Sequence, residues 1–116
     1  MSAVLAVPLP QAGGILAELY ARFPGEIFTE QKTADGIPTV WVSRGKLLEA
    51  MKFLKHEARP GYKMLYDLTA IDERMRQNRA GQPKSDFTVV YHLMSYERNS
   101  DIRVKVALEG EYPSVP

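Results

Sequence analysis

The chain contains no cysteine. That single absence excludes disulfides, thiolate nucleophiles, iron–sulfur ligation and thiolate zinc sites. It fits a reducing compartment. Net charge is also nearly absent, with fifteen basic residues against fourteen acidic ones. A formal +1 gives no general attraction to nucleic acid or anionic lipid. No run approaches the roughly eighteen apolar residues of a membrane span. Met1 to Pro10 is mildly apolar, but it lacks a basic leader and is broken by Pro8 and Pro10, so it does not read as a signal peptide. Histidine is scarce, His56 and His92 being the two copies, and there is no internal repeat or low-complexity segment.

What is present is an ordinary globular composition, 45% hydrophobic and 25% charged over 116 residues. That length suits one domain burying roughly 65% of its unfolded surface, with no need of staples. The expectation is a soluble, cytoplasmic chain. The strongest pattern runs from Phe87 to Leu108. Its first part, Phe-Thr-Val-Val-Tyr-His-Leu-Met-Ser-Tyr, is rich in β-branched and aromatic residues. Its last part places Ile102, Val104, Val106 and Leu108 on one face, with Arg103 and Lys105 on the other. Glu97 to Asp101 between them is polar and contains Asn99, which tolerates left-handed backbone angles. The spacing predicts a long antiparallel hairpin whose alternating face is buried. Asp at Val104 or at Val89 should therefore abolish folding.

Upstream, Ile15, Leu16, Leu19, Tyr20 and Phe23 make a helical stripe within Gln11 to Phe23, ended by Pro24-Gly25. Glu26 to Lys32 and Pro38 to Ser43 read as strands around the Asp35-Gly36 turn. Ser43 is placed to cap a second helix, Arg44 to about Glu57, with Leu47, Leu48, Met51 and Leu54 inward and Pro60-Gly61 after it. Met64 to Ile71 reads as a strand with Met64, Tyr66, Leu68 and Ala70 on one side. Glu73 to Asp86 is a long exposed connection carrying Arg74, Arg76, Arg79 and Lys84 against two acidic residues. The order predicts an α+β class, a two-layer α/β sandwich of form α-β(2)-α-β(3), with both helices on one face of a five-stranded sheet. Residues 1–10 read as a flexible arm, 11–109 as the domain and 110–116 as an extended exit toward a missing C-terminal segment.

Chemistry is harder to find. Asp67, Asp72 and His92 are the residues from which a small stand-alone acid/base enzyme would be built. The simpler reading puts Asp67 and His92 on a sheet surface and pairs Asp72 with Arg74 or Arg76. A metal pair of His56 and His92 requires that the two meet in space. The basic loop 74–84 is the element a nucleic-acid-binding module would use, with Tyr62, Tyr66 or Tyr91 to stack on bases. No glycine–aromatic nucleic-acid motif accompanies it, and Gly13-Gly14 has neither the strand nor the Lys-Ser/Thr pair of a phosphate loop. Trp41, between Val40 and Val42, reads as core. On residue chemistry alone this is a binding or scaffold domain, with no catalytic, cofactor or metal residues assigned.

Tyr62-Lys-Met-Leu-Tyr-Asp-Leu-Thr-Ala-Ile-Asp72, then Phe87-Thr-Val-Val-Tyr-His-Leu and Ile102-Arg-Val-Lys-Val, resembles the 30 kDa subunit family of bacterial respiratory complex I. That complex is the proton-pumping NADH:quinone oxidoreductase. Gly36-Ile-Pro-Thr-Val-Trp-Val, the Leu47-Leu48 helix and Phe28-Thr are similar to the same family. The polar insertion Glu73 to Pro83 resembles the version of the family that is fused to the next protein of the complex. The resemblance spans about Ile15 to Leu108. It implies the two-layer fold with a mixed sheet, and a non-catalytic subunit of the peripheral arm on the cytoplasmic side of the bacterial inner membrane. It also implies neighbours that build the quinone site and carry the last iron–sulfur cluster. NADH, flavin, clusters and quinone would belong to those partner subunits, none being bound by this chain. Family members continue into a Trp- and Glu-Arg-Glu-containing segment that is not found here, so the 116 residues look like the N-terminal domain of a longer chain. The basic loop and the proline-rich end, through Arg74, Arg76, Arg79, Lys84, Tyr112 and Pro113, are the expected partner-facing residues.

Overall fold

The computed structural model describes residues 14–24, 29–75, 82–109 and 115. Helix α1 (Ile15–Arg22) buries Ile15, Leu16 and Leu19, which share one face at helical spacing. Gly14 stands at its N-cap without a side chain to bond there, and Phe23 N–H closes it on Leu19 C=O at 3.1 Å. Strands β1 (Thr29–Glu30) and β2 (Thr39–Trp41) are joined by a tight turn. Asp35 Oδ1 accepts from Thr33 Oγ1 at 2.7 Å and Ile37 N–H at 3.1 Å, while Gly36 takes φ 74°, where a Cβ would be strained.

The second helix occupies its expected span in three hydrogen-bonding geometries. A 3₁₀ turn (Arg44–Lys46) leads into α2 (Leu47–Lys52), which widens into a π turn (Phe53–Glu57). Ser43 holds the N-cap position, but it accepts from Lys46 N–H through its carbonyl, with no side-chain cap. Tight winding followed by wide winding shifts the helical phase. Ala50 enters the core beside Leu47 and Leu54 at ordinary helical spacing and Phe53 joins them where the turn widens, while Leu48, expected inward, lies about 100° round the helix from Leu47 and is exposed.

Strands β3 (Met64–Asp72), β4 (Phe87–Ser95) and β5 (Ser100–Leu108) are nine residues each. The sheet order is β1-β2-β5-β4-β3, with β2 and β5 parallel and the other neighbours antiparallel. The predicted hairpin is thus β4–β5, and β5 is the central strand. Its turn includes Asn99 at φ 53°, the left-handed angle expected of it. Ile102, Val104 and Val106 are fully buried and pair with Leu93, Tyr91 and Val89, while Val40 sits beside Val104 across the parallel ladder. Both helices pack on this face, and Phe23 meets Phe53 edge to face at 6.0 Å. Trp41 is buried outside that cluster. It lies on the opposite face beside Lys105, its indole N–H donating to Gln31 Oε1 at 2.9 Å.

Candidate docking surface

Two helices about 10 Å wide cover about four strands spaced at ~4.8 Å. The strand left over is β3, at the sheet edge. The predicted alternation along it is interrupted by a bulge between Leu65 and Asp67. Leu65, Leu68 and Ala70 oppose Leu93, Tyr91 and Val89, so they share the helix-side face. No helix among the described residues reaches them: Leu65 is 51% exposed and Leu68 54%. Tyr66, at 61%, leans to the other face and packs on the His92 ring with centroids 5.2 Å apart. Among the described residues seven large hydrophobics are exposed, and six of them, Met64, Leu65, Tyr66, Leu68, Met75 and Tyr96, lie on β3 or directly beside it. Tyr96 reaches Met64 Sδ at 3.3 Å. Scattered surface leucines need no explanation, but this concentration along an edge that no described strand pairs does.

At the β3 entrance the chain turns sharply. Ala58 N–H donates to Phe53 C=O at 2.8 Å and Tyr62 N–H to Leu54 C=O at 2.7 Å. Gly61 is pressed on the helix end, so that a Cβ there would lie 2.5 Å from the Lys55 carbonyl oxygen. Arg98 clamps this corner from the β4–β5 turn. Its Nε donates to Pro60 C=O at 2.7 Å, its two terminal nitrogens bind Glu18 at 2.6 and 2.9 Å, and it lies over the Tyr62 ring. The bonds to Glu18 and the carboxylate charge raise the Arg98 pKa further, against the opposing effect of burial. The corner encloses a cup of about 360 Å³ lined by Lys55, His56, Arg59, Pro60, Lys63 and Glu97 among others.

The other sheet face is polar. His92 Nε2 lies 2.7 Å from Asp101 Oδ2, and Asp67, opposite His92, is exposed. Asp72 stands five residues from Asp67 and on the helix-side face, about 16 Å along the strand. It accepts from Arg74 Nε at 2.9 Å and Nη2 at 2.6 Å, which holds its carboxyl down at about 2. Asp67, Asp72 and His92 therefore do not converge, and Asp72 pairs with Arg74 as the simpler reading has it. His56 lines the cup, while His92 faces a separate recess with Asp67, Arg103 and Lys105. Among the described residues no group of three or more His, Cys, Asp or Glu could hold a metal. No helix among them is long and apolar enough to cross a membrane.

Of the expected partner-facing residues, Arg74 is exposed and lies 4.9 Å over the Phe87 ring, and Lys84 is exposed. Arg76, Arg79, Tyr112 and Pro113 lie outside the described residues, as does the arm 1–10, while Val115 packs against the core. The base of the basic loop is pinned. Glu73, only 4% exposed, accepts from Thr88 Oγ1 at 2.5 Å, and its N–H donates to Asp86 C=O at 2.8 Å. Pattern alone treats Glu73 as a loop charge and misses both the β3 ledge and the cup. The available signals are apolar residues at both parities of β3 and the basic spacing Lys55, Arg59, Lys63 just before it.

The sequence model of a family described as the respiratory-chain NADH dehydrogenase 30 Kd subunit matches residues 40–116. The chain is 60% identical over 102 residues to the C/D subunit of the NADH-quinone oxidoreductase of Psychrobacter sp. (strain PRwf-1), covering 88% of this chain and 17% of that protein. It is 54% identical over 109 residues to the C/D subunit of Psychrobacter arcticus, covering 94% and 18%. For the C/D subunit of Azotobacter vinelandii the identity is 50% over 111 residues, covering 93% and 18%. The chain thus spans less than a fifth of the length of these relatives. With the mixed sheet and its two helices on one face, the match across two thirds of the chain makes it a member of the respiratory-chain NADH dehydrogenase 30 Kd subunit family.

Proposed function

We propose that this domain is a non-catalytic assembly module of an NADH:quinone oxidoreductase, and that it works by presenting a sheet edge to neighbouring subunits. The observation that carries this reading is β3, a nine-residue edge strand bearing most of the exposed large hydrophobics among the described residues. An extended segment added there gains backbone hydrogen bonds along about 30 Å, and its side chains cover Leu65 and Leu68. The module would stand in the peripheral arm on the cytoplasmic side of the inner membrane, beside the subunits of the quinone site. Flavin, clusters and quinone would be held by those partners, in keeping with a chain without cysteine.

The test is made in the assembled complex. Leu65→Glu with Leu68→Glu places two charges on the ledge and leaves the β5 core untouched. The expected result is release of the subunit and loss of NADH:quinone electron transfer, with NADH oxidation by a flavin-level artificial acceptor retained. A fully assembled, fully active double variant would overturn the reading.

A further inference from the structure

The cup at the β3 entrance has a charge character that the described residues do not use. Arg22 pairs with Glu57 at 2.7 Å, Arg74 with Asp72 at 2.6 Å, Arg98 with Glu18 at 2.6 Å and Arg103 with Asp35 at 2.6 Å. Against these, Lys55, Arg59 and Lys63 around the cup have no ion pair or hydrogen bond from their side chains among the described residues. Among the described residues, the one carboxylate lining the cup is Glu97. Three cations against one anion leave a local surplus in a concave, walled site.

Compensation of the helix end explains part of this. Lys55 and His56 lie in the last turn, where a positive charge suits the helix dipole. Arg59 and Lys63 lie beyond it, after the chain has turned, and the dipole gives no reason for them. The walls are also held in place. Arg98 ties Pro60 to α1, Tyr62 N–H is bonded to Leu54 C=O, and Gly61 sits on the Lys55 carbonyl. With the backbone walls fixed, receiving an anion orders the exposed side chains of Lys55, Arg59 and Lys63 and little else.

Its position specifies the anion further. Gly61, Lys63 and Glu97 line the cup and also an adjoining recess of about 280 Å³, which continues over Met64, Met94 and Tyr96. The cationic cup therefore opens onto the start of the β3 edge at Met64, on the sheet face opposite Leu65 and Leu68, and a strand added to that edge would alternate its side chains between the two faces. A ligand spanning both has apolar side chains along the strand and a carboxylate at one end. This is the description of a polypeptide segment.

We infer that the Lys55–Arg59–Lys63 cup is a socket for Asp or Glu side chains of a neighbouring polypeptide, whose adjoining apolar residues lie along β3. The inference rests on the assembly reading and adds to it the chemistry of the partner segment. The ledge supplies adhesion, and the socket sets direction and register, since charged pairs at an interface steer encounter and reject wrong partners.

The experiment uses the full-length subunit in its assembled complex. Arg59→Glu with Lys63→Glu should weaken association at least ~10-fold near 0.15 M salt. It should also flatten the salt dependence of dissociation, while Arg59→Lys with Lys63→Arg leaves both unchanged. Zero-length carbodiimide coupling, read by mass spectrometry, should join Lys55 or Lys63 to an Asp or Glu of another subunit. An unaltered salt profile in the charge-reversed variant, or coupling confined to Glu97, overturns the inference. So does charge-dependent binding of the full-length subunit to phosphatidylglycerol vesicles without coupling to a protein carboxylate. If Leu65→Glu with Leu68→Glu releases the subunit and the charge reversal does not, the socket falls and the assembly reading stands. If neither does, both fall.

Discussion

Arg98→Ala is the perturbation that probes the domain most sharply, because one side chain ties three segments together. The guanidinium binds Glu18 of α1 through two nitrogens, donates to the Pro60 carbonyl and lies 5.4 Å over the Tyr62 ring. Its side chain is 15% exposed and that of Glu18 is 36% exposed, so the ion pair is screened and contributes about 1 kcal/mol. The bond to the carbonyl adds about 1 kcal/mol, and the ring contact about 0.5 kcal/mol. The sum is a loss of about 2.5 kcal/mol on truncation, which at this chain length lowers Tm by roughly 10 °C. Urea denaturation of the 116-residue chain can be followed through Trp41, the only tryptophan and a buried one. A double-mutant cycle with Glu18→Gln should return a coupling of about 1 kcal/mol. A loss below about 0.5 kcal/mol for Arg98→Ala, with no coupling, would show that the corner is held by its backbone bonds and the core alone.

Gly61→Ala should destabilise the chain by about 1–3 kcal/mol in the same urea assay, because the new Cβ would lie 2.5 Å from a backbone oxygen that cannot swing aside. Gly45→Ala, with open space at its Cβ, should be neutral or slightly stabilising. The pattern of β4 and β5 predicts that Val104→Asp and Val89→Asp both abolish folding, but the structure separates them. Val104 is 0% exposed and central, so its substitution should cost on the order of 4–5 kcal/mol. Val89 is only partly buried near the open β3 edge and should cost about 1–2 kcal/mol, read as a cooperative melt with a lowered midpoint. Asp35, held down by its bonds to Arg103, Thr33 and Ile37, and Asp72, held at about 2 by Arg74, both have folded pKa values below their unfolded ones. Their contribution is complete above the ordinary carboxylate range and is lost as pH falls through the folded values. Asp72→Asn should therefore flatten the urea midpoint against pH between the ordinary 3.8 and about 2, most visibly at low salt.

The hairpin was legible because a period of two needs no tertiary information. Ile102, Val104, Val106 and Leu108 must share a face in any strand, and a face so apolar must be covered. Asn99 marked its turn for an equally local reason. The helix stripes were legible in part. Leu19 and Leu54 fall where spacing puts them, whereas Leu48 does not, because the buried stripe runs through Leu47, Ala50 and Leu54 and Leu48 stands about 100° round the helix from Leu47. The alternation of β3 failed at Tyr66, where the bulge adds one residue on one strand.

The sequence by itself determined the α+β class, the element order, the buried face of β5 and the family, since each is written in local periodicity or in residue identity along the chain. Sheet order, by contrast, was decided by tertiary structure. That β5 is central and β3 an edge left uncovered by the described residues depends on which strands pair and how far two helices can reach across five strands. The same holds for the cup. Lys55, Arg59 and Lys63 are separated by other residues and read as ordinary surface charge until the turn held by Arg98 and Gly61 brings them around one cavity. Periodicity reports which way a side chain points from its own element. Only packing decides what, if anything, stands opposite it.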